Sequence, residues 1–185
     1  MKKLKPFVLL WLTCHILLAQ DSYLASGGEI RFNASTPLED IDATNKRVQA
    51  ILQPGTGEFA VALLISDFSF RRKLMQEHFN ENYMESDTYP KAYFSGKLLG
   101  MDDTTKALAP GNYAVMGMLT IHGVTRQIET SAELAESNGK LVLTSNLVVA
   151  PEDFNIEIPR ILFQKIAEEV KVAITLELAR AQGSG

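Results

Sequence analysis

From residue 29 onward the chain keeps returning to a two-residue rhythm of apolar and polar side chains, and such a rhythm buries its apolar atoms on one face of a sheet. Ile30, Phe32 and Ala34 alternate with Glu29, Arg31 and Asn33. Val48, Ala50 and Leu52 keep the same parity, as do Ala92, Phe94 and Leu98. The second half is cleaner: Val115, Leu119 and Ile121 lead to Ile128, Ala132 and Leu134, then Leu141, Leu143, Leu147 and Val149, and finally Val170, Val172, Ile174, Leu176 and Leu178. Asn138-Gly139 is a hairpin-turn dipeptide. One polar face is the mark of antiparallel sheet, and many strands joined by short turns predict an all-β barrel or sandwich with minor helix.

Three segments break the rhythm. Residues 58–70 are apolar at both parities, with Phe59, Val61, Leu63 and Ile65 on one and Ala60, Ala62, Leu64 and Phe68 on the other. Both faces should therefore be covered, which a helix laid over the outside of the sheet would explain. Residues 70–84 (FRRKLMQEHFNENYM) set Leu74, Met75, His78 and Phe79 on one helical stripe, and residues 159–169 (PRILFQKIAEE) open on a proline suited to a first helical turn. Residues 37–47 (PLEDIDATNKR) read as the exposed start of a further short helix.

The first nineteen residues carry Lys2, Lys3 and Lys5 ahead of an apolar run, 7–19, that is too short for the ~20 residues a bilayer span needs. They read as a secretory signal peptide cut after Ala19, which makes the protein periplasmic or secreted. Cys14, the single cysteine, leaves with it, because Thr13 and the apolar stretch after Cys14 do not suit a lipidation site. Residues 20–182 then form one domain, and 183–185 (GSG) resemble a linker scar. Without the three leader lysines, 15 of the 18 basic residues face 22 acidic ones, a net charge near −7. That balance excludes nucleic acid and anionic membrane surfaces as partners, since both attract basic proteins.

Little in this domain points to catalysis. It has two histidines, His78 and His122, and no HExxH, GxSxG or P-loop pattern. No metal and no cofactor is expected from two isolated histidines. His78, in the helical stripe, reads as a capping or packing residue bonded to nearby backbone, with a ligand's head group as the alternative partner. His122, before Gly123, reads as a turn-fixing residue. The acidic run 81–87 lacks calcium-loop spacing, and Glu39, Asp40 and Asp42 stand without any other sign of glycoside chemistry. Small residues at Ala50, Ala60, Ala62, Ala92, Gly96 and Gly117 could leave a dry cavity inside a barrel, and dry apolar cavities take apolar guests.

Residues 113–125, YAVMGMLTIHGVT, resemble the signature of the YceI-like family, Y-x-V-x-G-x-L-T-hydrophobic-H-G-V-T. His78-Phe79, the stretch 89–94 (YPKAYF) and 153–156 (DFNI) follow in that family's order, so the resemblance spans about residues 28–178. It implies a lipocalin-like antiparallel up-and-down barrel of about eight strands, exported, with one or two short covering helices. It also implies an isoprenoid or quinone-like chain held inside for transport, storage or sequestration, without enzymatic activity. A homodimer is left open. Two departures bear on the ligand's head group: Asn155 stands where glycine is common, and Gln76-Glu77-His78 replaces an R-D-x-H lead-in. Strand parity then puts Phe32, Leu63, Phe94, Leu119, Ile121, Leu143, Leu147 and Ile174 on the inward face, with Phe68, Phe70 and Phe79 near the mouth. The competing readings are a filled barrel acting through its surface and an enzyme using His78 or His122.

Overall fold

A computed structural model describes residues 22–101, 108–137, 140–159 and 165–181. The leader, the Asn138-Gly139 turn, residues 160–164 of the second expected helix and the terminal 182–185 lie outside the described residues. The strands, in chain order, are β1 (Tyr23–Asn33), β2 (Asp42–Asn45), β3 (Gln49–Leu52), β4 (Glu58–Leu64), β5 (Ser69–Phe70), β6 (Lys91–Leu99), β7 (Gly111–Ile121), β8 (Val124–Ser137), β9 (Lys140–Val149) and β10 (Val170–Arg180).

Eight of them close a ring. Each of β3, β4, β6, β7, β8, β9 and β10 pairs antiparallel with its predecessor in the wall, and β10 pairs back onto β1 over Tyr23↔Arg180 to Asn33↔Lys171. The result is an up-and-down antiparallel barrel, in which each of the eight wall strands has a paired neighbour on both sides. β2 and β5 hang beside β1 at one end, which we call the open end. The closed end is packed solid by Leu52, Leu98, Leu134, Leu143, Leu176 and Leu178, none more than 2 % exposed.

Among the described residues one α-helix, α1 (Lys73–His78), runs straight into a single π turn over Phe79–Tyr83. Two expectations change here. The helix begins three residues later than its apolar stripe suggested, because Phe70 belongs to β5. It also covers the barrel's open end rather than the outside of β4, whose outward Leu64 stays exposed. The doubly apolar stretch 58–70 is no single strand: β4 ends at Leu64, a 3-10 turn takes Ile65–Asp67, and β5 begins at Ser69. The break swaps parity, so Ile65 and Phe68 can both be buried.

The segment 37–47 forms no helix. Thr36 and Glu39 bridge a tight turn, and β2 follows. Asn45 explains the choice: fully buried, it donates from Nδ2 to the Leu64 carbonyl at 2.9 Å and accepts from the Arg47 amide at 2.8 Å, a local bond that competes with helix. In the second expected helix the described residues 165–169 are turn and bend, not helix.

Gly96 and Gly117 face each other in the β6–β7 register. A Cβ on Gly96 would stand 2.3 Å from the Met116 carbonyl oxygen and 2.6 Å from the Phe94 ring. The pair therefore opens no cavity; it makes room for the Phe94 ring to lie across the backbones.

Candidate functional site

Above the packed closed end, the inward side chains enclose a cavity of about 620 Å³. Pockets that hold one organic ligand fall in the range of roughly 300–1,000 Å³. The eight residues expected inward from parity, Phe32, Leu63, Phe94, Leu119, Ile121, Leu143, Leu147 and Ile174, line it, and so do Phe68, Phe70 and Phe79, expected near the mouth. Their positions follow from the register: β1, β7, β9 and β10 each contribute every second side chain, and Leu63 pairs with Ala92 across β4 and β6.

Four rings crowd the open end. Phe32 meets Phe68, Phe70 and Phe79 at centroid separations of 5.2, 5.7 and 5.4 Å, and Phe70 meets Phe79 at 5.0 Å. Edge-to-face, tilted and stacked contacts of this kind add to simple burial. They come from four short pieces of chain, the end of β1, Phe68 at the end of the 3-10 turn, β5 and the π turn, which is why no one of those pieces shows the cluster by itself.

Residues that parity reasoning left off the lining include Ile30, Ile128, Val170 and Val172, in alternating runs and recoverable from the same rule, and Val61, in the doubly apolar stretch where the rule gives no answer. Of the six small residues expected to shape the interior, only Ala92 lines the cavity. Ala60 and Ala62 sit on the parity opposite to Phe59, Val61 and Leu63, Ala50 is packed in the closed-end core, and the two glycines are filled by Phe94.

Polar lining groups are few. Ser145 Oγ donates to the Ser131 carbonyl at 2.7 Å and Thr130 Oγ1 to the Asn146 carbonyl at 2.8 Å, so neither hydroxyl proton is left for a guest. Tyr83 lines the cavity too, and burial raises its phenol above the ordinary value. His78 is exposed at the rim of the cavity and makes no ring hydrogen bond among the described residues, so the expected backbone contact is absent.

His122 is not part of the lining. It sits in the two-residue β7–β8 turn at φ 50°, with Nδ1 3.2 Å from the Phe154 carbonyl oxygen and Nε2 3.0 Å from Glu85 Oε2. Its ring packs on Tyr89 at 4.4 Å, and its side chain is 10 % exposed. Asn155, where the family motif commonly has glycine, is left-handed at φ 55° and ψ 30°, a conformation asparagine tolerates better than most residues. Among the described residues no group of three or more His, Cys, Asp or Glu side chains is placed to hold a metal ion, and no helix is long and apolar enough to cross a membrane.

The model of the YceI-like domain matches residues 25–178. No curated protein sequence matches the chain. Among solved structures, a polyisoprenoid binding domain from Saccharophagus degradans aligns with a TM-score of 0.69 at 15 % identity, covering 86 % of this chain and 98 % of that one. BcnA of Burkholderia cenocepacia aligns at 0.68 and 19 % identity, over 82 % and 96 % of the two chains. The YCEI protein of Campylobacter jejuni aligns at 0.60 and 19 %, over 78 % and 86 %. At these identities the likeness is one of fold.

Proposed function

The chain belongs to the YceI-like family, and on that footing we propose that its barrel is an exported, non-catalytic carrier of one long apolar molecule, an isoprenoid or quinone-like lipid. The observation that carries this reading is the cavity itself: about 620 Å³, walled by aliphatic side chains of β1, β4 and β6 to β10 and crowned by four phenylalanine rings. Apolar cavities of this kind do not hold water well and take apolar guests. The similar fold of a polyisoprenoid binding domain supports the choice of cargo, and the leader reading supports a periplasmic or secreted location. Transport, storage and sequestration all use the same site.

His122 and Glu85 meet the minimum geometry for acid-base work, but Nδ1 is held by a backbone carbonyl and the ring lies off the cavity wall. They are a tie between loops. Native mass spectrometry and organic extraction of protein purified without added lipid test the proposal directly. We expect a single bound species whose extract is a long hydrocarbon chain. Repeated recovery of mass-pure, lipid-free protein that also takes up no apolar probe would point instead to a barrel acting through its surface.

A further inference from the structure

β8 and β9 are paired by backbone from Ser137↔Lys140 to Ala132↔Ser145 and no further, although β8 continues to Val124 against β7 and β9 to Val149 against β10. Toward the open end the two strands part. Ser145 and Thr130 bridge the start of the gap by side chain to carbonyl, in place of a ladder. The wall is weakly paired at one other place, between β1 and β3, but there β2 takes over along β1 from Asn45.

The β8–β9 gap is covered by the chain that leaves β9. Ile128 and Leu147 line the cavity on either side of the seam, and Pro151, Ile156 and Ile158 of the following segment complete the wall. That segment is a 3-10 turn, Pro151–Phe154, reversed at left-handed Asn155. Its fastenings to the barrel are of a different kind from a strand's. Arg126 Nε donates to the Asp153 carbonyl at 2.7 Å, His122 Nδ1 meets the next carbonyl at 3.2 Å, and the Phe154 side chain is buried. Arg126 pairs with inward Leu119 and so stands on the apolar parity of β8, but at its exposed open-end start, where the guanidinium is free to reach the Asp153 carbonyl.

We propose that the seam between β8 and β9 is the route by which the ligand is exchanged, with residues 150–158 as its door and Arg126, helped by His122, as its latch. The inference rests on the carrier reading above. Opening here breaks side-chain-to-carbonyl bonds and leaves both strands on their other ladders, whereas parting β7 from β8 would break a ladder of eleven residue pairs. The four rings at the open end can stay in contact throughout.

Stopped-flow exchange of a fluorescent long-chain probe, cis-parinaric acid, on the full chain tests it. Arg126→Met should speed both association and dissociation by roughly tenfold, the size of one lost charge-assisted hydrogen bond, and leave Kd unchanged. Arg126→Gln, which keeps an N–H donor, should recover part of the difference. Amide hydrogen exchange on the wild type gives an independent readout: Asn155 and Ile156 should exchange faster than the β7–β8 ladder, and more slowly once the probe is bound. Unchanged rates in Arg126→Met, a Kd that rises with association unaltered, or Asn155 and Ile156 amides as protected as the ladder would each overturn the door. Lipid recovered by extraction alongside any of these results leaves the carrier reading standing and the door refuted. Absence of both extracted lipid and probe uptake removes the two together.

Discussion

Three non-glycine residues among the described ones have positive φ, Glu85, His122 and Asn155, and the last two set the path of the β7–β8 turn and of the segment that leaves β9. Both types tolerate the left-handed region, which is why motif positions next to them could be read without knowing what they touch. Their partners could not be read. Glu85 lies 37 residues from His122, and nothing in spacing alone brings them together. Arg126 was legible in principle, as a charge on an apolar parity, but alternation rules treat such an exception as noise. At this scale Tyr83 offers a direct report on occupancy. Desolvation already raises its phenol, and an apolar guest that expels the remaining water should raise it further. By linkage, ligand affinity should be constant while the phenol is neutral and fall as pH climbs through the ligand-free value, above ~10. Phenolate absorbance titrations of loaded and extracted protein, with Tyr83→Phe to assign the signal, check both the shift and its sign; a shift downward on loading would place the guest away from Tyr83.

Elements were easier to foresee than their ends. Period two identified the long strands and their inward faces, because one buried face fixes register strongly. It failed at 58–70, where two short elements of opposite parity follow one another across Ile65–Asp67, and at 37–47, where Asn45 bonds to backbone and strand wins over helix. Composition could not distinguish a glycine that leaves space from one that removes it. Gly96 and Gly117 are the second kind, and they give a sharp expectation: Gly96→Ala puts a methyl 2.3 Å from the Met116 carbonyl and 2.7 Å from the Gly117 backbone. Neither neighbour is a flexible side-chain tip, so β6 and β7 must separate, at a cost above ~3 kcal/mol, in the range reserved for overpacking and strain together. Urea titration should show that loss. A variant as stable as wild type would mean that β6 and β7 do not approach each other this closely at Gly96 and Gly117.

At the scale of the whole barrel, eight strands leave the interior at the boundary between filled and hollow, and only the sizes of the inward residues decide. Here they divide by depth: leucines fill the closed end, and the upper half holds the cavity of about 620 Å³. Ala92 is the point at which the two alternatives part, being small, inward and paired with Leu63 near the open end. In a filled barrel, Ala92→Trp would overpack the core and cost about 1–3 kcal/mol. In a hollow one the indole has space to enter, so the same change should leave stability within about 0.5 kcal/mol of wild type or raise it through added apolar burial. It would also shorten the space left for a chain. The two readouts therefore move in opposite senses: the carrier predicts a stable variant that releases its long-chain lipid during purification, while a filled barrel predicts a destabilised variant with no change in bound species. Thermal unfolding of extracted protein and mass spectrometry of protein as purified, run on the same two samples, separate them. A stable variant that still retains the full wild-type complement of lipid would place the cargo elsewhere than beside Ala92.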